Sequence, residues 1–340
     1  MSVDATSWVM AHPNYTEPEL VLQYNQKSDF TKVLAGDAPR VRLSTEDKYV
    51  YIKQLAVRTN VQSGQAGSNQ IPSCSVDTGL ASAATYLQQV RAEYDHHQTA
   101  ALGSWGASIV EAQRLAMRQG HYQAMRNKAL YGMIPSNGEG ILNGTGITTT
   151  NLPPDSFGQD TISTYDSGQM ALFLLNVLVL LKTRTMQFGM PSKFVILGPQ
   201  QDIGQWVGQD IVQLTSYQRP GAGSATVAGV VKTVAEEYGM GEVEFGYDDT
   251  LIGQGAGGTD AILFVMPEVM KPTGPEPNTN AFADLKPGFN ACTAMYSDVA
   301  APIEIPTPLP MGAIDILSEM RVTSGWVIRP EAVTVLSATH

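Results

Sequence analysis

The chain has 340 residues, 43% hydrophobic and 16% charged, with 21 Lys and Arg against 32 Asp and Glu for a formal net charge of −11. At roughly 150 residues per domain this is about two domains' worth of chain. The apolar fraction excludes disorder as a description of the whole, and the acidic balance excludes a nucleic-acid reader that works by neutralising phosphates.

Residues 1–45 mix polar stretches with scattered apolar residues and keep no sustained period, so they read as an extended arm. Residues 48–60 (KYVYIKQLAVRTN) are rich in β-branched and aromatic types and predict a strand. The polar, Gly- and Ser-rich stretch Gln62–Gln70 follows, then a second predicted strand at 82–95, which together make a long β-hairpin with a long flexible tip. From Thr99 to Tyr131 there is no proline, and Leu102, Trp105, Ile109, Ala112 and Ala116 recur at helical spacing. The pattern predicts one helix of some 33 residues capped by Thr99, a rod of about 50 Å at 1.5 Å per residue. Gly103, Gly106 and Gly120 each weaken such a helix by about 1 kcal/mol, so packing must hold it or it must bend.

Turn signals crowd the stretch 131–146. An uninterrupted apolar run of 12 residues, Met170–Leu181, reads as a core helix extending to Gln187, because it is well short of the ~20 residues that cross a bilayer. Further strands are expected at Phe194–Leu197, Glu242–Gly246 and Ala261–Met266, and helices at Ile203–Leu214 and Ala228–Tyr238, an α+β pattern. Four prolines fall within 299–311, and two strands, Ile314–Val322 and Gly325–Leu336, flank a turn at Thr323–Gly325.

Charge is partitioned along the chain: residues 1–131 hold 12 Lys and Arg against 11 Asp and Glu, and residues 132–340 hold 9 against 21. The split suggests that a near-neutral first third supplies cations to acidic faces of neighbouring copies. Cys74 and Cys292 make no disulfide framework or zinc pattern and read as free thiols. No secretory signal opens the sequence, and the chain reads as soluble and intracellular.

The chemical motifs are sparse. Gly253–Gly258 fits G-x-G-x-x-G, but the residues after it predict a strand where a dinucleotide site needs a helix N-terminus. A mobile loop between strands is the expectation there. His96 and His97, at the junction of hairpin and helix, are expected to point apart and hold no metal. Glu236, Glu237, Glu242, Glu244, Asp248 and Asp249 lack the calcium-loop order and read as a solvated or interfacial face. Arg114 and Arg118 lie one turn apart on the long helix and read as partners for carboxylates. No catalytic residue, cofactor site or metal site is assigned.

An arm, a long hairpin with a flexible tip, a very long helix, an α+β domain and a returning C-terminal strand pair, in that order, resemble the major capsid proteins of tailed bacteriophages, the HK97-like fold. Two segments carry the likeness locally. Lys128–Asn143 (KALYGMIPSNGEGILN) is similar to the stretch that follows the spine helix in that family, and Met320–Val335 (MRVTSGWVIRPEAVTV) to its closing strand.

The resemblance implies an α+β, HK97-like subunit: an N-terminal arm at 1–45, an E-loop hairpin at 46–95, a P-domain with spine helix at 96–159, an A-domain at 160–299 and returning P-domain strands at 300–340. It implies a structural, non-enzymatic protein that self-assembles into the hexamers and pentamers of an icosahedral virion capsid around double-stranded DNA. Assembly would take place in the host bacterial cytoplasm, with no membrane and no cofactor. A portal, separate scaffolding or cement proteins, and weakly held DNA are the implied partners. Lys53, Arg58, Gly64, Gly67, Arg114, Arg118, Glu236, Glu237, Asp248 and Asp249 are the expected assembly contacts. An encapsulin-type compartment shell shares this fold, and a nucleotide-binding α/β enzyme is the reading from a different class.

Overall fold

The computed structural model describes residues 28–58, 75–103, 108–185, 192–209, 226–269, 292–293 and 295–340. In chain order they form β1 (Arg40–Leu43), β2 (Tyr49–Arg58), β3 (Ser75–Tyr94), α1 (His96–Gly103), α2 (Ile109–Tyr131), β4 (Thr148–Asn151), α3 (Ser167–Arg184) and β5 (Ser192–Gly198). Then come α4 (Gln200–Gly208), α5 (Val227–Glu237), β6 (Gly241–Tyr247), β7 (Asp260–Val265), β8 (Glu268–Val269), β9 (Cys292–Thr293) and β10 (Met295–Tyr296). The last strands are β11 (Asp298–Ala300), β12 (Ile303–Pro308), β13 (Ile314–Thr323), β14 (Trp326–Val327) and β15 (Val333–Ala338).

Two larger sheets organise these elements. The first runs β1-β11-β13-β3-β2, with β12 also paired to β13. Within it β3 serves two partners in succession. Its residues 85–94 pair antiparallel with β13, and residues 75–84 pair antiparallel with β2 from Tyr49↔Ala84 to Arg58↔Ser75. The outer ten-residue ladder with β2 is therefore a two-stranded ribbon running past the end of β13, about 33 Å long at 3.3 Å per residue. The predicted hairpin exists with a longer second strand than expected. Its expected tip, 62–70, lies outside the described residues.

The second sheet runs β4-β15-β7-β5-β6. Strands β5 and β6 are parallel, so their connection must cross over, and α4 and α5 supply that crossover. Every residue of β7 and β15 is buried, as central strands covered on both faces must be. Helix α3 packs on α5, and its Arg184 reaches Thr334 on β15 at 3.0 Å.

Several sequence expectations are corrected. The single rod of 99–131 is two helices, because Ser108 is extended (φ −91°, ψ 117°) and caps α2 by accepting from Glu111 N–H. Asp95, not Thr99, opens α1, its carboxylate taking the Gln98 N–H at 2.7 Å. The 23 residues of α2 make a rod of about 35 Å. The predicted strand 325–336 divides into β14, a 3-10 turn at Pro330–Ala332 and β15. The two closing strands do not pair: β13 belongs to the first sheet and β15 to the second. Helix α4 ends at Gly208, since Gln209 is already extended.

Residues 28–43 are not a free arm. Phe30, Val33 and Leu34 are fully buried in the main core, Asp29 N–H bonds the Tyr247 carbonyl at 2.9 Å, and β1 lies parallel to β11.

Two glycines explain the local motifs. A Cβ on Gly140 would meet the Tyr131 carbonyl carbon at 2.4 Å, and one on Gly325 would meet the Ala129 carbonyl oxygen at 2.4 Å. Only glycine permits these approaches. The chain thereby folds back over the end of α2, with Ile141 N–H on the Ala129 carbonyl, Leu142 N–H on that of Leu130 and Gly325 N–H on that of Lys128.

Candidate functional site

The described residues contain no group of three metal-ligating side chains and no helix long and apolar enough to cross a membrane. The Gly253–Gly258 segment ends in a 3-10 turn and runs into β7, so it presents no helix N-terminus. It is a fastened loop, not a mobile one. Gly253 N–H bonds the Asp260 carboxylate and Ala256 N–H the Ser337 hydroxyl, both at 2.9 Å. His96 and His97 do not point apart: as the first two residues of α1 they hold their ring centres 3.9 Å apart, with the planes tilted by 40°.

The features that stand out are surfaces. Residues opposite each other in the ribbon share a face, so Tyr49, Tyr51, Lys53, Leu80 and Ser82 lie together. Tyr49, Tyr51 and Leu80 are 60%, 59% and 64% exposed. An aromatic and aliphatic face on a two-stranded ribbon has no core of its own to join. A second apolar strip runs along the outer face of α3, where Leu172, Val179 and Leu180 are exposed although the run was expected to be core. Phe157, in the loop before α3, is 86% exposed.

The expected contact residues divide. Lys53 is exposed on the ribbon opposite Leu80. Arg58 ends β2, and Gly64 and Gly67 lie outside the described residues. Arg114 is committed within the chain to Glu304 on β12 at 3.0 Å, whereas Arg118, one turn on, is exposed and has no ion pair among the described residues. Glu236 and Glu237 are exposed in the last turn of α5 and pair with no cation there.

Asp248 is a correction. It is 1% exposed, accepts the Ser28 hydroxyl at 2.5 Å and takes the Thr250 N–H and hydroxyl, so it fastens residue 28 to the second sheet and cannot meet a neighbour. Asp249 takes the first N–H of α4, from Gln200, at 2.8 Å. The acidic stretch is thus a set of internal clasps plus the two exposed glutamates and Glu242. Glu244 bridges Lys32 and Lys193 at 3.1 Å each.

Part of the charge partition is likewise consumed within the chain. Lys32–Glu244, Arg40–Asp298, Arg91–Asp315 and Arg114–Glu304, at 2.7–3.1 Å, each join a cation from residues 1–131 to an acid from 132–340. The segments fold against each other, so the complementary charges meet inside one protomer before any neighbour arrives.

Two buried titratable clusters escaped the sequence reading, since neither has a recognisable spacing. Asp202 in α4 is fully buried, and His340 Nδ1 lies 2.9 Å from its carboxylate. Burial, with the Asp260 carboxylate beside it opposing His340, pushes Asp202 up to about 6. Beneath α2, Lys128 is buried without a carboxylate, 5.5 Å from the centre of the Tyr86 ring, and burial pushes it down to about 8.

No family model and no curated protein matches the chain. Solved structures do. A chain in the capsid of Myoviridae phage XM1 superposes with a TM-score of 0.65 at 10% identity, over 99% of this chain and 98% of that one. A chain in the capsid of an empty GTA particle computed with C5 symmetry gives 0.54 at 10% identity, over 100% and 99%. A chain of Gordonia phage Cozz gives 0.53 at 15%, over 99% and 94%. At such identities the likeness is one of architecture, and from end to end the chain has the fold found in the capsids of phage XM1 and of the GTA particle.

Proposed function

We propose that this protein is the major capsid subunit of a tailed phage, a structural protein with no catalytic step, which self-assembles as hexamers and pentamers into an icosahedral shell around double-stranded DNA. The observation that carries the reading is the likeness to a chain of the XM1 capsid over 99% of this chain and 98% of that one.

In this reading residues 46–95, with the ribbon of β2 and β3, are the E-loop. The helix α2 within 96–159 is the spine of a P-domain completed by strands from 300–340. The second sheet with α3, α4 and α5, largely from 160–299, is the A-domain. Residues 1–45 are the arm, held at its inner end by Phe30 and Val33. Strand β15, at 333–338, would join the A-domain sheet and not the P-domain.

A subunit of this kind is expected to expose apolar surface that only copies cover, and the ribbon face and the α3 strip supply it. Glu236 and Glu237 sit where the helix dipole disfavours carboxylates, which suits a cation brought by a neighbour. A portal, scaffolding or cement proteins and loosely held DNA complete the proposed assembly, formed in the host cytoplasm.

Electron microscopy of the purified full chain tests the proposal. Closed icosahedral shells, or rings of five and six, are the expected result. A monodisperse monomer at high concentration, across salt and crowding conditions, would refute it.

A further inference from the structure

Helix α2 crosses the first sheet over the even-numbered residues of β13 and β3, and this contact includes buried polar groups beside its apolar ones. His121, on the buried side of α2, shares a hydrogen bond between its Nε2 and Ser318 Oγ on β13 at 2.9 Å. Its Nδ1 is buried with no partner among the described residues, as are both amide atoms of Gln88 on β3. The apolar cluster at this contact is Val299, Met320 and Val322, with Met125 against it, and Met117 on α2 and Ile316 on β13 are buried as well. The ring adds a polar fastening between helix and sheet to these apolar contacts.

The groups around the ring offer no uncommitted anion to a protonated histidine: Glu304, opposite Ser318, is already paired. Lys128, seven residues along the same helix face, carries a positive charge toward it. From β3, Tyr86 gives its hydroxyl to Glu139 at 2.9 Å. Glu304 on β12 shares the α2 side of the sheet, but it is paired with Arg114. Asp315, Glu319 and Arg321 on β13, and Arg91 and Glu93 on β3, are odd-numbered and face away from α2.

We propose that His121 is an acid-released latch: neutral, it holds α2 to β13 and β3, and on protonation it lets the helix separate from the sheet. Burial, and secondarily Lys128, hold its pKa below that of an ordinary histidine, which sets the direction. The released ring takes up a proton near pH 6.5, whereas the latched ring does so only at lower pH. The latch is therefore fully stable above 6.5 and weakens as pH falls below it. This inference rests on the α2–sheet contact and not on the capsid reading, so it can fail or hold independently of it.

Hydrogen exchange followed by mass spectrometry on the full chain, corrected for the intrinsic pH dependence of exchange, tests the latch. Protection of residues 109–131 and 314–323 is expected to fall by up to tenfold per pH unit below 6.5. His121→Gln retains a hydrogen-bonding side chain that cannot titrate, and should remove that step. Ser318→Ala leaves the ring titratable and should keep the step from a lower starting protection. Asp202→Asn, which removes a buried carboxyl titrating near this range, should leave the step unchanged. A wild type without the step, a step that survives His121→Gln, or one abolished by Asp202→Asn would overturn the proposal.

Discussion

The two sheets of this protein are stabilised in different ways. The β4-β15-β7-β5-β6 sheet is sealed by α3, α4 and α5 on one side and by Phe30, Val33 and Leu34 from the N-terminal segment. Its core holds fully buried Trp206, Phe194, Phe264 and Leu178. The sheet under α2 has a small apolar cluster, a histidine, a lysine and a glutamine in its contact, and a ribbon on which Tyr49, Tyr51 and Leu80 are exposed. The first unit is stable by burial within one chain. Both leave apolar surface uncovered, on α3 in the first and on the ribbon in the second, and both hold buried polar atoms with no partner among the described residues, but the second has the smaller apolar cluster behind them. A subunit that must fold first and associate afterwards benefits from that division.

The largest test of the contrast is truncation in the sealed unit. Phe264→Ala should cost about 3–5 kcal/mol, measured by denaturant unfolding, whereas Val322→Ala beneath α2 should cost about 1–2 kcal/mol. Similar losses at both sites would remove the distinction. Next in size is Lys128→Met. The folded chain holds Lys128 down at about 8, so its ionisation opposes folding fully below 8 and the opposition fades as pH rises toward 10.5. The substitution should therefore stabilise by roughly 1–3 kcal/mol at pH 7 and by progressively less above pH 8.

Asp202→Asn probes the sealed unit's own polar cluster. Because Asp202 is pushed up to about 6, its favourable contribution is full below an ordinary carboxylate's pKa and is lost as pH rises through 6. The stability of the Asn variant relative to wild type should rise by roughly 1–3 kcal/mol between pH 4 and pH 7.5, and a flat difference would contradict it. Arg114→Glu breaks an exposed intrachain pair worth about 0–1 kcal/mol. A change in stability without a change in the salt dependence of assembly would confirm that the pair acts inside the protomer. The smallest effect on folding is expected from Tyr51→Lys with Leu80→Asp on the ribbon, within about 0.5 kcal/mol. The same pair should abolish higher assemblies in light scattering if the ribbon face meets another copy.

Much of the architecture was legible in the sequence because periodicity reports burial. The Met170–Leu181 run, the Ala261–Met266 strand and the hairpin each announced an element that the fold contains. The break at Ser108 was not legible, since a serine preceding an acidic helix start competes with an apolar stripe that continues through it. The separation of β13 from β15 was equally hidden, because nothing in two strands joined by Thr323–Gly325 tells which sheet each joins. The contact residues fared worst. Asp248 reads as part of a solvated or interfacial face, and only the folded chain shows it buried against Ser28, whereas Arg114 meets a carboxylate as its reading expects, with Glu304 as the partner the sequence could not name. His121 and Asp202 had no spacing to betray them, since their partners, Ser318 on β13 and His340 beyond β15, are distant in the chain.

Strand β15 carries a consequence for how the protein is made. It sits between β4 and β7, which do not pair with each other, so nearly two hundred residues separate the earliest of the three from the strand that joins them. A nascent chain that has passed β7 but not residue 333 presents two raw strand edges and an open core. Ribosome stalling or premature termination in that window would yield an aggregation-prone species and not a smaller working subunit. The sheet thus rejects incomplete copies of its own chain.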